Sequence, residues 1–206
     1  MYLLWGYLIG LGTVIFIGPV LFTLLKATWQ RGHRAGIAVA LGIIVSDIIV
    51  VGVCYAGSSA FSKEVDQYVP KFWIGMAGAA LLLALGIKYI LNPGSSLMAS
   101  VTTKADHPLA FFTRGFLINT LNPSVFVVWV AIIETWSKQL GYGYSMVAFL
   151  FMALLGIFSM DMTKVFTANF IKPYMTPRIL DYIYRGIGGL LLLFCALMVY
   201  KSWAFR

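Results

Sequence analysis

The sequence predicts an all-α integral membrane protein, with six transmembrane helices arranged as two inverted three-helix repeats. The first observation is composition: the 206 residues are 61% hydrophobic and only 11% charged, unlike those of soluble globular domains. The second is that six apolar stretches reach the roughly 20 residues that a spanning helix needs. The third is a short motif that occurs once in each half of the chain.

The six apolar stretches are assigned by length, because a helix that is apolar on every side has no clear 3.6-residue period. They occupy residues 2–25, 35–57, 72–91, 112–134, 145–168 and 183–203. None alternates over about ten residues, as barrel strands do. No Lys or Arg precedes the first stretch, and apolar residues continue beyond Gly18-Pro19. We therefore expect a retained helix rather than a signal peptide.

These stretches form one transmembrane domain over residues 1–206. The first repeat covers about residues 1–91, the second covers about residues 112–206, and residues 92–111 form a cytoplasmic linker. Because each repeat has an odd number of helices, the second copy enters the membrane upside down relative to the first. Inverted repeats occur in secondary transporters, whose sites lie near the membrane midplane where the repeats meet.

The second helix of each repeat carries the same motif. Leu41-Gly42-Ile43 is followed by Asp47, and Leu155-Gly156-Ile157 is followed at the same spacing by Asp161. A carboxylate within an apolar span is costly and is a functional candidate. Burial favours the neutral form of a carboxyl group, so we expect proton coupling at both aspartates, unless they only hydrogen-bond helices together. Lys164 lies one turn after Asp161 and can pair with it, which favours Asp47 as the proton carrier.

The third helices match more weakly. Gly75-Met76-Ala77-Gly78 and Gly186-Ile187-Gly188-Gly189 each precede a Leu-rich run, which ends in Tyr89 or Tyr200. Glycines in such helices let two backbones approach closely, and packing alone explains them. Gly-rich faces also permit a homo-oligomer.

The first helix of each repeat contains a proline. Pro19 and Pro123 have no amide hydrogen, so we expect them to break their helices and free the carbonyls of Ile15 and Asn119. Breaks of this kind survive in a membrane where they face protein or a water-filled cavity. Freed carbonyls and half-helix N-termini suit the two charged ends of a zwitterion. The predicted substrate-binding residues are Gly18, Pro19, Asn119, Asn122 and Pro123.

Asn119 and Asn122 lie one turn apart, which predicts that both face the same side of helix 4. The alternative is that the two prolines are structural kinks, whose Asn side chains only tie helices together. Because the breaks occur in two equivalent helices, a substrate-binding role is favoured over a purely structural one.

Lys and Arg in the predicted loops set the orientation. Nine lie in the loops after helices 1, 3 and 5, and five lie on the opposite side. The nine are Lys26, Arg31, Arg34, Lys88, Lys104, Arg114, Lys172, Arg178 and Arg185. Because cytoplasmic loops carry the excess of positive charge, we expect loops 1–2, 3–4 and 5–6 in the cytoplasm. A basic face beside anionic lipid accounts for the net charge of +8, without nucleic acid as a partner.

Several motifs resemble the lysine exporter (LysE) superfamily over nearly the whole chain. Phe16-Ile17-Gly18-Pro19, the basic run from Trp29 to Gly36, and Leu41-Gly42 with Ser46-Asp47 are similar to its first half. The run Arg114-Gly115-Phe116-Leu117-Ile118-Asn119, followed by Asn122-Pro123, is similar to the start of its second half. The chain departs from the pattern at Ile17, where Pro is usual, and at Ser124, where Lys is usual.

The resemblance implies export of amino acids or similar small metabolites across the bacterial inner membrane, by proton antiport. The two departures lie beside the predicted site, so they affect the substrate more than the fold. We expect no enzyme activity and no cofactor, since no Ser-His-Asp or Cys-His arrangement can be assembled.

Two alternative functions remain. A metal-cation transporter of the same superfamily would need more carboxylate, His or Cys ligands than these helices offer. His33 and His107 are predicted loop residues without a second ligand, and Cys54 and Cys195 are predicted packing residues. The other alternative is a non-transporting membrane scaffold, whose polar groups only hold helices together.

Overall fold

The computed structural model describes residues 1–12, 19–68, 71–91, 107–174 and 176–204. These residues are helical apart from short turns, and no strand occurs among them, which confirms the predicted all-α class for this part of the chain. The fold divides into two compact units. Unit 1 consists of Met1–Ser58 and Val101–Tyr174, and unit 2 of Ser59–Ser100 and Met175–Arg206.

The helices are numbered in chain order. They are α1 (Tyr2–Gly12), α2 (Pro19–Arg31), α3 (His33–Tyr68), α4 (Lys71–Leu91), α5 (Pro108–Thr120), α6 (Pro123–Leu140), α7 (Tyr144–Ile171) and α8 (Pro177–Ala204), with a 3-10 turn at Lys172–Tyr174. Gly32 separates α2 from α3 with a φ of 81°, a conformation that glycine adopts without strain. His33, predicted as a loop residue, is therefore the first residue of α3.

Two described helical segments, His33–Ser59 and Tyr144–Phe170, are long and apolar enough to cross a membrane. The pair α5 and α6 passes the same test together, with a bend of 62° at its break. Shorter apolar helices at Tyr2–Gly12, Gly78–Leu91 and Tyr184–Leu197 overlap the other predicted spans. Length and composition thus give two spans, or three with the bent pair, and the six-span arrangement stays a prediction.

The fourth apolar segment begins earlier than predicted. α5 starts at Pro108, so the last residues assigned to the linker 92–111 are helical. His107 caps this helix, because its Nδ1 accepts a hydrogen bond from the Leu109 amide at 3.2 Å, and proline suits the first helical position. The remainder of the linker, residues 92–106, lies outside the described residues.

In unit 1, α1 crosses α7 at two glycines that leave no room for a side chain. A Cβ atom on Gly10 would collide with the carbonyl oxygen of Ala153, and one on Gly156 would collide with that of Tyr7. Such close approach of two backbones is typical of helix packing in membranes.

α3 crosses α5 in the same way. A Cβ atom on Gly115 would collide with the carbonyl oxygen of Val39, and one on Gly42 with that of Phe112. Both crossings have the same register. Each glycine faces a carbonyl on the other helix, and that carbonyl belongs to the residue three positions before the other helix's own glycine. Gly42 and Gly156 are the glycines of the repeated Leu-Gly-Ile motif, so this motif marks an equivalent contact in α3 and α7.

In unit 2, α4 packs along α8, and these helices also meet at a pair of glycines. A Cβ atom on Gly188 would lie 2.9 Å from the carbonyl oxygen of Gly86, and one on Gly86 would lie 3.1 Å from that of Gly188. Gly186 and Gly189 of the matched quartet have nothing within 4 Å of an added Cβ atom among the described residues. The closest contact between the third helices therefore involves only one glycine of that quartet, Gly188.

Candidate functional site

Asp47 lies on α3 in the interior of unit 1, where it is 4% exposed. The side-chain amide of Asn119, on α5, donates a hydrogen bond to Asp47 Oδ1 at 2.9 Å. Asn119 occupies the last turn of α5, which ends at Thr120. The structure therefore brings together two residues for which the sequence predicted separate roles, a proton carrier and a substrate ligand.

Trp129, on α6, is a second donor to the same carboxylate. Its Nε1 lies 3.3 Å from Asp47 Oδ1, and its ring is 2% exposed in an apolar cluster with residues of α3 and α7. Sequence analysis missed Trp129. The available signal was its indole N–H, which needs an acceptor wherever the ring is buried.

The two donors leave one oxygen of Asp47 uncommitted. Both Asn119 and Trp129 donate to Oδ1, and Oδ2 accepts no hydrogen bond from the described residues. An ionised carboxylate can accept more than the two bonds it receives here. The carboxylate is thus held in orientation through Oδ1, while Oδ2 can take a proton or a cationic group.

A chain of hydroxyl groups fixes Asn119. Thr120 Oγ1 donates to the Phe116 carbonyl at 2.8 Å, so the 2.7 Å bond between Ser46 and Thr120 has Ser46 as its donor. The Ser46 oxygen then accepts from Asn119 Nδ2 at 3.2 Å. Asn119 therefore donates to Ser46 and Asp47 on α3, and its Nδ2 also lies 3.4 Å from the Ile43 carbonyl oxygen. Its amide cannot rotate without breaking these bonds.

The bend between α5 and α6 lies at Leu121-Asn122. Asn122 Oδ1 accepts from the Ser124 amide at 3.2 Å and from its hydroxyl at 2.7 Å, so Asn122 caps α6. The prediction that Asn119 and Asn122 share one helix face is wrong, because α5 ends between them. The predicted free carbonyl of Asn119 is also wrong, since it accepts the Asn122 amide at 3.1 Å in a tight turn.

Both predicted proline breaks coincide with the start of a helix. Pro123 is the first residue of α6 and Pro19 the first of α2, a position where the missing amide hydrogen leaves no helical bond unmade. Gly18 and the Ile15 carbonyl lie outside the described residues. The substrate-binding role predicted around Gly18 and Pro19 therefore stays a prediction.

Asp161 is the counterpart of Asp47 on α7 and is 6% exposed. Lys164 Nζ lies 2.8 Å from Asp161 Oδ1, with side chains that are 14% and 8% exposed, respectively. The pairing predicted from the sequence is therefore confirmed. A buried carboxylate with a bound cation is a neutral unit, whereas the donors to Asp47 in the described part of the chain are both neutral.

Asp47 and Asp161 occupy matching positions in unit 1. Each lies five residues after the glycine at which its helix crosses another, Gly42 in α3 and Gly156 in α7. α3 and α7 also line one apolar groove of about 650 Å³. Ile44 and Phe158, which line this groove, each lie one turn before one of the two aspartates.

The described residues contain no group of three His, Cys, Asp or Glu side chains placed to hold a metal ion. His33 Nδ1 lies 3.1 Å from the Val165 carbonyl oxygen. Cys54 and Cys195 are buried free thiols, and Cys195 Sγ donates to the Ala79 carbonyl at 3.2 Å. These three side chains thus have contacts within the fold.

The order of these motifs agrees with one protein family. The sequence model of the LysE type translocators matches residues 11–202, a range that includes Asp47, Asn119, Trp129 and Asp161. The chain belongs to the LysE type translocator family. The resemblance predicted from the sequence is thereby confirmed for almost the full length. No solved structure matches this LysE type translocator.

Individual relatives of this LysE type translocator include proteins named leucine efflux protein. Those of Salmonella typhimurium (strain LT2) and Salmonella typhi are each 27% identical to it over 134 residues, which is 62% of this chain. The chain spans 59% of the length of these relatives. An uncharacterized membrane protein of Pseudomonas aeruginosa is 24% identical over 161 residues, which is 73% of this chain and 71% of that protein.

Proposed function

We propose that this LysE type translocator is a secondary transporter that exports amino acids or similar small metabolites across the bacterial inner membrane in exchange for protons. The observation that carries the proposal is the buried carboxylate of Asp47, held by Asn119 directly before a 62° bend between two helices. A carboxylate in an apolar helix is costly to maintain. The similarity to leucine efflux proteins supports an amino acid as the substrate.

Exchange at Asp47 depends on its second oxygen. Oδ2 binds either a proton or the ammonium group of the substrate, because one negative charge in an apolar site compensates one positive charge. Asn119 and Trp129 donate to Oδ1 whichever cation is present. A proton arriving from outside releases the substrate there, and a substrate arriving from the cytoplasm releases the proton inside. Competition for one oxygen thus couples the two fluxes.

The substrate carboxylate binds at the break between α5 and α6. α6 begins at Pro123, next to the Asn119–Asp47 hydrogen bond, and the N-terminal end of a helix carries a partial positive charge. Asn122 uses its Oδ1 to cap α6, while its Nδ2 donates no hydrogen bond within the described residues. Asn122 therefore has donors for a carboxylate, close to the acceptor that binds the ammonium group. We extend the same role to Gly18 and Pro19 at the first break.

The inverted repeat is part of this proposal. With repeats at about residues 1–91 and 112–206, the α1–α7 crossing joins helices 1 and 5, and the α3–α5 crossing joins helices 2 and 4. A two-fold axis in the membrane plane exchanges these two pairs. The identical glycine-to-carbonyl register in both crossings supports that relation. We place the basic loops 1–2, 3–4 and 5–6 in the cytoplasm.

Uptake into everted inner-membrane vesicles tests the proposal. Acidification of the vesicle interior should drive uptake of radiolabelled leucine, and a protonophore should stop it. Asp47→Asn should abolish this uptake, because a side-chain amide does not bind and release a proton near neutral pH. Glu134→Gln is the matched control, since Glu134 is an exposed carboxylate on α6.

Two results would count against the proposal. Wild-type protein that moves none of the common amino acids contradicts the substrate class. Protonophore-sensitive uptake at the wild-type rate in Asp47→Asn contradicts the coupling role of Asp47.

A further inference from the structure

Unit 1 contains a group of three charged side chains whose charges sum to a negative value. Asp47 and Asp161 are buried and contribute two negative charges, and the part-buried Lys164 contributes one positive charge. Lys164 lies 2.8 Å from Asp161, and no Lys or Arg among the described residues forms an ion pair with Asp47. One further positive charge therefore makes the group neutral.

The three side chains form one electrostatic site. Ile44 and Phe158 line one groove between α3 and α7, and each lies one turn before an aspartate, Asp47 or Asp161, so the two carboxylates lie at the same level of neighbouring helices. The other groups that face Asp47, Asn119 on α5 and Trp129 on α6, are uncharged. Because Lys164 already pairs with one of the two carboxylates, the group has room for one further positive charge, at Asp47.

Lys164 is not required by the shared packing pattern of α3 and α7. It lies eight residues after Gly156, and the residue eight after Gly42 is Val50, which is 1% exposed in an apolar core. The equivalent helix position therefore packs well with an apolar side chain. A part-buried lysine in an apolar helix is costly, and helix packing does not explain its presence at one of two equivalent positions.

We propose that Lys164 determines the substrate class by acting as a built-in cation at Asp161, so that the site accepts amino acids with uncharged side chains and rejects those with cationic side chains. This inference rests on the proposed function, since it assigns the substrate of the same site. An amino acid with an uncharged side chain supplies one ammonium group for Asp47, while its carboxylate is held at the N-terminal end of α6. The ammonium group thus neutralises the three-residue group.

A cationic side chain would bring a second positive charge into the same site. With the substrate carboxylate held at the N-terminal end of α6, the sum at the two aspartates would then be three positive against two negative charges in an apolar environment, which is unfavourable. If Lys164 were removed, a substrate with two ammonium groups would match the two carboxylates, with its side-chain ammonium in the place of Lys164 Nζ. Specificity thus comes from repulsion of the wrong substrate as well as from binding of the right one.

The test compares uptake of radiolabelled L-leucine and L-lysine by purified protein in proteoliposomes, for wild type and three variants. Wild type should transport leucine and not lysine. Lys164→Met should raise the lysine-to-leucine ratio by at least about tenfold. Lys164→Arg keeps the charge and should retain the preference for leucine. Asp161→Asn/Lys164→Met removes both charges of the pair, so it should also retain that preference.

The double variant separates this inference from a purely structural role for Lys164. It lacks the buried unpaired carboxylate that could prevent Lys164→Met from folding, so its ratio can be measured in any case. A gain of lysine transport in the double variant would overturn the inference. A folded Lys164→Met with an unchanged ratio would also overturn it, as would wild-type protein that transports lysine as well as leucine.

Failure of the proposed function gives a different result. If wild-type protein transports none of the common amino acids, the proposed substrate class fails, and this inference fails with it. If wild-type protein transports leucine and Lys164→Met leaves the ratio unchanged, only this inference fails.

Discussion

Asn119 and Asp47 join α5 to α3 through one hydrogen bond, in which Asn119 Nδ2 donates to Asp47 Oδ1 across 2.9 Å. The two residues are 72 positions apart in the sequence and belong to different predicted repeats. Asn119 lies directly before the bend, so any movement of α5 at this point moves a donor of the carboxylate. This bond therefore links the helix break to the group that we propose carries the proton.

Asn119→Ala removes the donors to Asp47 and Ser46. We expect leucine uptake to fall at least about tenfold, and the free energy of unfolding to fall by about 1–3 kcal/mol, because two buried acceptors each lose a hydrogen-bond donor. Vesicle uptake and thermal unfolding measure the two effects. Thr113→Ala, an exposed hydroxyl on the same helix, is the control and should change neither. Equal uptake by Asn119→Ala and wild type would show that this bond does not position the site.

Trp129→Phe keeps a buried aromatic ring but removes the indole N–H together with part of the ring volume. We expect a several-fold decrease in uptake with a loss of stability of about 1.5–3 kcal/mol, since one hydrogen bond to a charged group is lost. Trp129→Ala should instead lower the free energy of unfolding by about 3–5 kcal/mol, because it leaves a cavity in the core. Trp203→Phe, an exposed position, should leave uptake unchanged. If Trp129→Phe also leaves uptake unchanged, its contact with Asp47 is only structural.

Gly42→Ala and Gly156→Ala test the two matching helix crossings. Each added methyl group would meet a backbone carbonyl, so we expect each variant to lower stability by about 1–3 kcal/mol. Gly52→Ala is the matched control on α3, since nothing lies within 4 Å of its added Cβ atom, and alanine favours the helix by up to about 1 kcal/mol. Thermal unfolding of the detergent-solubilised protein compares the three. Equal stability of Gly42→Ala and Gly52→Ala would contradict the close crossing of α3 and α5.

Cysteine labelling tests the orientation. In a chain with Cys54 and Cys195 replaced by Ala, Arg31→Cys reports on loop 1–2 and Gly143→Cys on loop 4–5. A membrane-impermeant maleimide should label Gly143→Cys on intact spheroplasts and label Arg31→Cys only after the membrane is opened. The reverse pattern would place the basic loops outside the cytoplasm.

The sequence predicted the fold class and the main groups of the site, because those depend on patterns that a helix imposes locally. The apolar composition predicted the helical class. An aspartate in an apolar helix indicated a candidate site, because a charged group there has a high free-energy cost. The pairing of Lys164 with Asp161 followed from their three-residue spacing on one helix.

What the sequence did not predict depends on contacts between distant segments and on where a helix ends. Trp129 donates to Asp47 across 82 positions, and no local pattern indicates that contact. The role of Asn122 differs from the predicted one because α5 ends before this residue. Its side chain caps α6 instead of lying beside Asn119. Gly and Leu are abundant in the third helices, so their two sequences can be matched in more than one way. The glycine that faces Gly188 is Gly86, which lies outside the matched quartet.

The most direct test of the central claim is proton movement driven by substrate. In proteoliposomes loaded with leucine and a pH-sensitive dye, outward leucine flow through wild-type protein should acidify the interior. Asp47→Asn, with Asn119 and Trp129 unchanged, should abolish this acidification. Acidification at the wild-type rate in Asp47→Asn would contradict the claim that Asp47 exchanges a proton for the substrate.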